Sequence, residues 1–180
     1  MGLFLETAIV NCSDMSLLKR SLSEISKEKP DFELKPEECR FHQRESRGIQ
    51  LLLNENCMGY EKLAEAISQK ISSYVMLLYI YDEDFWGYFL YDRGREIDRF
   101  SPDPEYFGEA EEHSKYKGNA EIVSKYFGIP RESIEKYLVK WTDEFYEDGD
   151  ISAYENDRYA YADCWQMADF MKKLGFSYEW

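Results

Sequence analysis

The sequence lacks the short motifs by which most enzymes are recognised. It contains no GxGxxG, GxxxxGK, HExxH or GxSxG pattern; these accompany dinucleotide binding, phosphate binding, zinc peptidases and serine hydrolases. Histidine is scarce, since the 180 residues include only His42 and His113. Cys39 and His42 are three residues apart, which on a strand directs them to opposite faces. The sequence therefore indicates no particular reaction.

Long apolar runs and metal-binding cysteine patterns are also absent. The most nearly apolar segment is Tyr74–Tyr81, far shorter than the roughly 20 residues that cross a bilayer. The four cysteines have no CxxC spacing, so we expect reduced, mostly buried thiols rather than a zinc site. The first apolar run contains Glu6 and follows no basic region, unlike a signal peptide. We therefore expect a cytoplasmic protein without membrane association or cofactor.

Basic residues are few relative to acidic ones. Lys and Arg together number 22 against 36 Asp and Glu, which gives a net charge of −14. Nucleic acids and anionic membranes attract clustered Lys and Arg, partly through counterion release, so we expect neither as a partner. A surface of one sign attracts the opposite charge. The charge therefore favours a basic protein or a metal cation as partner, unless the acidity serves solubility alone.

Apolar periodicity predicts an α+β fold. The predicted strands comprise residues 3–10, 39–43, 48–53, 74–82, 84–92 and 96–100. One predicted helix starts at the N-cap Ser13 and stops at Pro30, and another carries an apolar stripe from Tyr60 to Ile71. The order β-α-β-β-α-β matches the ferredoxin-like pattern, with an added β-hairpin across Gly94. A plain meander with packed helices is the alternative.

The composition of the sequence changes after residue 100. The segment SPDPEYFGE is typical of a boundary loop. We therefore predict a sheet core in residues 1–100 and a helical extension in residues 101–180 that packs on the same domain. Two short helices are predicted around Gly128 and Pro130, the second with Ile134, Leu138 and Trp141 on one face. A last helix is predicted to start at Trp165.

The segment from Glu144 to Trp165 concentrates the negative charge. Together with Asp143 it carries eight acidic residues against one base, Arg158, and four tyrosines are interleaved. An EF-hand loop aligned at the start of this segment has Gly at position 6 and Glu155 at position 12, as calcium binding requires. Position 3 is then Tyr146, which has no carboxylate. The remaining weak candidates for metal ligands in this 143–157 loop are Asp148, Asp150, Ser152 and Glu155.

The same segment also has the composition of a surface that binds a basic protein. Tyr supplies a large contact area with few rotamers to immobilise, and interleaved carboxylates attract Lys and Arg. Alternatively, the aromatic residues face the core and the acids face water. The predicted partner contacts are Glu147, Asp148, Asp150, Tyr154 and Asp157, with Asp84 and Trp86 of the hairpin as further candidates.

An enzyme with a carboxylate-based site is the remaining alternative. Paired carboxylates can perform acid–base chemistry, and the best candidates are Asp82, Asp84, Asp98 and Asp103, which lie near aromatic residues. A chain with 36 acids contains such pairs by chance, however. We therefore predict no catalytic residue, and neither the reaction class nor the oligomeric state is indicated.

Two stretches, YDEDFWGYFLYDRGREIDRFSPDPEYF and NDRYAYADCWQMADFMKKLGF, resemble small acidic bacterial proteins of uncharacterised function. Some of those proteins look like immunity proteins of polymorphic toxin systems. The resemblance implies a cytosolic protein that binds and blocks a toxin, commonly a basic nuclease. It carries no catalytic signature and transfers no binding residue.

Overall fold

The computed structural model describes residues 2–44, 48–107 and 113–178. The described strands are β1 (Leu5–Val10), β2 (Arg40–Arg44), β3 (Gly48–Leu52), β4 (Tyr74–Tyr81), β5 (Phe85–Asp92) and β6 (Arg95–Phe100). The described helices are α1 (Met15–Glu28), α2 (Tyr60–Ile71), α3 (Ala120–Phe127), α4 (Asp143–Glu147) and α5 (Gln166–Lys173). The predicted α+β class is confirmed.

The six described strands form one antiparallel sheet with the order β2-β3-β1-β4-β5-β6. β3 pairs with β1 on one side, where Thr7 lies opposite Leu52, and with β2 on the other. β4 is an inner strand, and its residues from Val75 to Ile80 are all buried. This burial explains the nearly continuous apolar run in its sequence. β2 and β6 are the outer strands of this order.

The chain divides into two compact units. One, which we call the N-terminal unit, comprises Phe4–Tyr79 and Tyr88–Ile97. The other, the C-terminal unit, comprises Met1–Leu3, Ile80–Gly87 and Asp98–Trp180. The predicted division into residues 1–100 and 101–180 stays a prediction.

In the N-terminal unit, two amphipathic helices bury the predicted apolar stripes. α1 buries Leu18, Leu22 and Ile25. Its N-cap is Asp14 rather than the predicted Ser13, because the Asp14 side chain accepts a hydrogen bond from the backbone N–H of Leu17 at 3.0 Å. The buried apolar residues of α2 are Leu63, Ala64, Ile67 and Ile71.

The predicted hairpin between β5 and β6 is confirmed. Arg93 and Gly94 both have positive φ, 51° and 76°, as the tight turn of a two-residue hairpin requires. The N–H of Gly94 donates to the Ser68 hydroxyl at 2.9 Å, which attaches the turn to α2. The polar turn expected between β2 and β3 involves residues 45–47, which lie outside the described residues.

Gly48 starts β3 in a conformation that only glycine adopts easily. Its φ is 116°, and a Cβ there would lie 2.4 Å from the carbonyl oxygen of Val10. We expect Gly48→Ala to lower the free energy of unfolding by about 2 kcal/mol, because backbone strain and a steric clash add. Urea unfolding measures this loss. Gly149→Ala is the control, because no atom lies within 4 Å of the added carbon; an equal loss in both variants would contradict the explanation.

In the C-terminal unit, the sequence correctly predicts two helix regions and misjudges a third. α3 starts at the N-cap Asn119 and ends at Gly128, whose φ is 64°. The α-helix predicted after Pro130 is wrong, because the chain there forms two 3-10 turns, Arg131–Ser133 and Glu135–Tyr137. α5 follows as predicted. No helix among the described residues has the length and apolar character that a bilayer crossing requires.

Candidate functional site

The acidic segment starts with a short helix in the C-terminal unit. α4 places Asp143 and Glu144 in its first turn, where negative side chains interact favourably with the helix dipole. Phe145 is half-buried, whereas Tyr146 is 55% exposed. The helix therefore separates an inner aromatic residue from an outer one that solvent reaches.

The irregular chain after α4 is held in place by hydrogen bonds of Tyr161. Its backbone N–H donates to the carbonyl of Ile151 at 2.8 Å, and its hydroxyl donates to the carbonyl of Lys136 at 2.7 Å. Its ring stacks on Phe145 with 4.2 Å between ring centres. Burial, followed by nearby Tyr154 and Asp157, raises the pKa of Tyr161 to about 12. The neutral phenol is thus a permanent donor at physiological pH.

These contacts border a concave site, which we call the acidic cleft. Its volume is about 410 Å³, within the size range of protein ligand sites. The stacked Phe145 and Tyr161 belong to its walls, together with two carboxylates and one guanidinium. The lining residues are Phe145, Tyr146, Gly149, Asp150, Ser152, Arg158, Ala160, Tyr161, Ala162 and Asp163.

Three exposed carboxylates lie at or beside the cleft, those of Glu147, Asp148 and Asp150. None of them makes an ion pair with a described residue. Asp148 accepts a weak hydrogen bond from the backbone N–H of Asp150 at 3.4 Å, which orients the turn. Their negative charge therefore remains available to a cation in solution. These three predicted contacts share one part of the surface.

Further acids lie near the exposed tyrosines of this unit. The pKa of Tyr146 is raised by partial burial and then by Asp103 and Asp84. Tyr106 is 51% exposed and lies 4.8 Å from the ring of Tyr81. Asp84, one of the further predicted contacts, is exposed and thus contributes to the negative field around Tyr146.

Two of the predicted partner contacts make hydrogen bonds or ion pairs within the molecule. The side chain of Asp157 is only 2% exposed and pairs with Lys173 at 3.4 Å, and it accepts from the N–H of Tyr154 at 3.0 Å. These contacts direct the Asp157 carboxylate inward, and as a partner contact Asp157 stays a prediction. Tyr154 is half-buried, and its hydroxyl donates to the carbonyl of Glu132 at 2.7 Å. As a partner contact, Tyr154 stays a prediction.

The side chain of Trp86, another predicted contact, is completely buried. Its indole N–H donates to the amide oxygen of Gln166 at 3.2 Å. Its ring centre lies 5.2 Å from that of Phe100 and 5.1 Å from that of Phe170. Trp86 thus belongs to the core, in a strand whose residues from Phe85 to Tyr91 are all buried.

The calcium alternative receives no support from the described residues. Among them, no group of three or more His, Cys, Asp or Glu side chains is arranged to hold a metal ion. Tyr146, at loop position 3, packs edge-on against Trp141 at 6.2 Å between ring centres. The candidates Asp148, Asp150, Ser152 and Glu155 therefore do not form a described metal site.

Sequence reasoning missed an acid that holds the backbone at Arg158, one of the residues that line the cleft. Asp169 is buried and accepts from the N–H groups of Arg158 and Tyr159, each at 2.8 Å. Burial raises its pKa, and the two donors partly oppose this. The sequence signal was an acid within the apolar stripe of α5. Such an acid indicates a buried acceptor for otherwise unpaired backbone donors.

Comparisons with known proteins yield no relative. No protein-family model matches the chain, and no match was found among curated proteins or among solved structures.

Proposed function

We propose that the protein is a non-catalytic binding module that captures a basic protein through the acidic cleft and the carboxylates beside it. In a bacterial cytoplasm, such a module would act as an immunity-type inhibitor that occupies the surface of a basic toxin. The observation that carries the proposal is the group of exposed acids, Glu147, Asp148 and Asp150, which lack an ion pair with any described residue.

Some other acids of the molecule, by contrast, are paired. Glu24 and Glu28 both pair with Lys70 at 3.1 and 2.7 Å, and Glu135 pairs with Arg131 at 3.0 Å. Paired charges attract an external cation less, because the local field is already compensated. Unpaired acids beside a concave site favour contact with Lys or Arg of a partner.

The aromatic walls of the cleft add a second attraction. Arg and Lys interact favourably with the faces of aromatic rings, and Phe145 and Tyr161 are held in a stacked pair. Because Tyr161 is anchored by two hydrogen bonds, little conformational entropy is lost when a partner binds. An interface of ordinary size would cover roughly 800 Å² of the surface around the acidic cleft.

We also infer that the first six elements form a ferredoxin-like βαββαβ arrangement. The order β2-β3-β1-β4 and the antiparallel pairing of β3 with both neighbours support this inference. The β5–β6 hairpin then extends the sheet beyond β4. The function is inferred from the acidic cleft and not from the fold, because one fold hosts many functions.

A double variant tests the proposed function. Asp148→Asn with Asp150→Asn keeps the oxygen that accepts the N–H of residue 150 and removes two charges. After the native basic partner is isolated on the parent protein, we expect the variant to associate about tenfold more slowly at low salt. Its association rate should also depend less on ionic strength, since long-range attraction drives the encounter. Stopped-flow fluorescence measures both quantities.

The matched control is Glu37→Gln with Glu55→Gln, which removes two exposed charges from the N-terminal unit. It changes the net charge equally, so a loss specific to the first variant identifies the location rather than the total charge. Equal association rates in the two double variants would remove the acidic cleft from the proposal. Capture of an acidic protein instead of a basic one would overturn the proposal itself.

A further inference from the structure

A second cavity in the C-terminal unit has the opposite chemistry to the acidic cleft. Its volume is about 680 Å³, which suits a small organic molecule. Phe100, Pro104 and Leu138 supply apolar wall, and Phe100 is almost fully buried. A ligand body placed against these side chains would lose contact with water, which favours an apolar group.

The segments around this cavity are fixed to each other by backbone contacts. Phe100, at the end of β6, forms an antiparallel bridge with Lys117. The next residue, Ser101, donates its N–H to the carbonyl of Tyr116 at 3.0 Å. The cavity wall is therefore present before any ligand arrives, and a preformed site avoids the entropy cost of ordering a loop.

The ionisable side chains among the described lining residues of this cavity are all of basic residue types. His113, Lys117 and Lys140 belong to its lining, and no Asp or Glu is among the described lining residues. Lys140 pairs with Glu105, which lies outside the lining. Lys117 makes no ion pair with a described residue.

We propose that this cavity binds a small organic anion, a carboxylate on an apolar ring or short chain. The carboxylate pairs with the ammonium group of Lys117, because the charge of Lys140 is already compensated by Glu105. The apolar body lies against Phe100 and Leu138. A carboxylate that accepts charged hydrogen bonds in a partly desolvated site gains more than it would in water. This site is separate from the acidic cleft and does not depend on the proposed function.

Ligand-observed NMR titrations with three naphthalene probes test the proposal. The probes are 2-naphthoate, the uncharged 2-naphthalenemethanol and 2-naphthyl phosphate. We expect the full-length protein to bind 2-naphthoate at least tenfold more tightly than the alcohol, because only the carboxylate pairs with Lys117. Equal affinity for the alcohol would overturn the role of charge. Tighter binding of the phosphate by tenfold or more would overturn the assignment to a carboxylate.

Variants locate the binding event. Lys117→Met keeps the aliphatic stem and the backbone bridge, so folding is not at risk, and we expect it to weaken 2-naphthoate binding about tenfold. Leu138→Trp, at a half-buried position, fills the cavity and should abolish binding of all three probes. Lys125→Met, an exposed lysine of α3, is the matched control and should bind like the parent. Unchanged affinity in both Lys117→Met and Leu138→Trp would place the probe elsewhere and overturn the proposal.

Discussion

Glu6→Gln is expected to make the protein more stable at neutral and alkaline pH, by about 3 kcal/mol at pH 7. Burial raises the pKa of Glu6 from 4.5 to about 9, although a hydrogen bond from Tyr60 partly opposes the shift. At pH 7 the carboxyl is therefore protonated in the folded state and ionised in the unfolded state. Each pH unit between these two pKa values lowers the free energy of unfolding by about 1.4 kcal/mol.

The sign of this effect follows from proton binding. The folded state holds the proton more tightly, so the stability is highest below pH 4.5 and falls until pH approaches 9. The cause is the position of Glu6 on β1, where its Oε2 has no hydrogen-bond partner among the described residues. Two buried thiols nearby do not titrate in this window, because burial raises the pKa of Cys39 to about 11 and raises that of Cys57 further.

Urea unfolding between pH 5 and pH 8 measures the effect. The stability difference between Glu6→Gln and the parent should widen steadily with pH, because glutamine does not ionise. Glu55→Gln replaces an exposed glutamate and should give a difference that stays constant. Parallel pH profiles for Glu6→Gln and the parent would mean that Glu6 ionises normally in the folded protein.

Trp86→Ala is expected to lower the free energy of unfolding by about 4 kcal/mol. The variant removes the largest completely buried side chain and leaves a cavity between Phe100 and Phe170, whose rings it contacts. Truncation of a buried aromatic residue costs about 3–5 kcal/mol. It also removes the N–H that satisfies the Gln166 oxygen, and an unsatisfied buried acceptor adds to the loss.

Denaturant unfolding with near-ultraviolet circular dichroism checks this second expectation. Trp86→Phe keeps most of the ring volume and should lower the free energy of unfolding by about 1–2 kcal/mol. The difference between the two variants separates the contribution of the indole hydrogen bond from that of packing. Asp84→Ala, two residues away and exposed, should change the stability by less than about 0.5 kcal/mol. A Trp86→Ala variant with the stability of the parent would restore Trp86 as a candidate surface contact.

The elements that sequence predicted best are those whose apolar pattern matches their burial. β4 has apolar residues at successive positions because both of its faces are covered, from Val75 to Ile80. The stripes of α1 and α2 repeat every three to four residues because each helix buries one face. In these segments local pattern and tertiary environment agree, so the prediction needs no knowledge of distant contacts.

The segment after Pro130 shows where this agreement fails. Ile134, Tyr137 and Trp141 are all buried, at spacings that an α-helix would also produce. The backbone N–H of Trp141 donates to the carbonyl of Pro102 at 2.9 Å, a contact with a residue far earlier in the chain. Such a long-range hydrogen bond occupies the donor that a continuing helix would use, and no local sequence pattern predicts it.

The candidate site was predictable only in part, for a related reason. The exposed acids Glu147, Asp148 and Asp150 lie close together in the sequence, so composition located them. The burial of Asp157 depends on Lys173, which belongs to a later helix. An irregular segment has no periodicity that separates its inner from its outer side chains. Whether each acid is buried or exposed therefore depends on ion pairs with residues of other elements.

The outer strands of the sheet have a consequence for how the protein behaves at high concentration. An outer strand offers free backbone donors and acceptors, and identical molecules can join there into fibrils. β2 is only five residues long and carries Arg40 and Arg44; β6 carries Arg95, and Phe100 at its end is bridged by Lys117. The arginines of incoming copies repel at β2, and the bridge from Lys117 already occupies the end of β6, so both outer strands disfavour fibril growth.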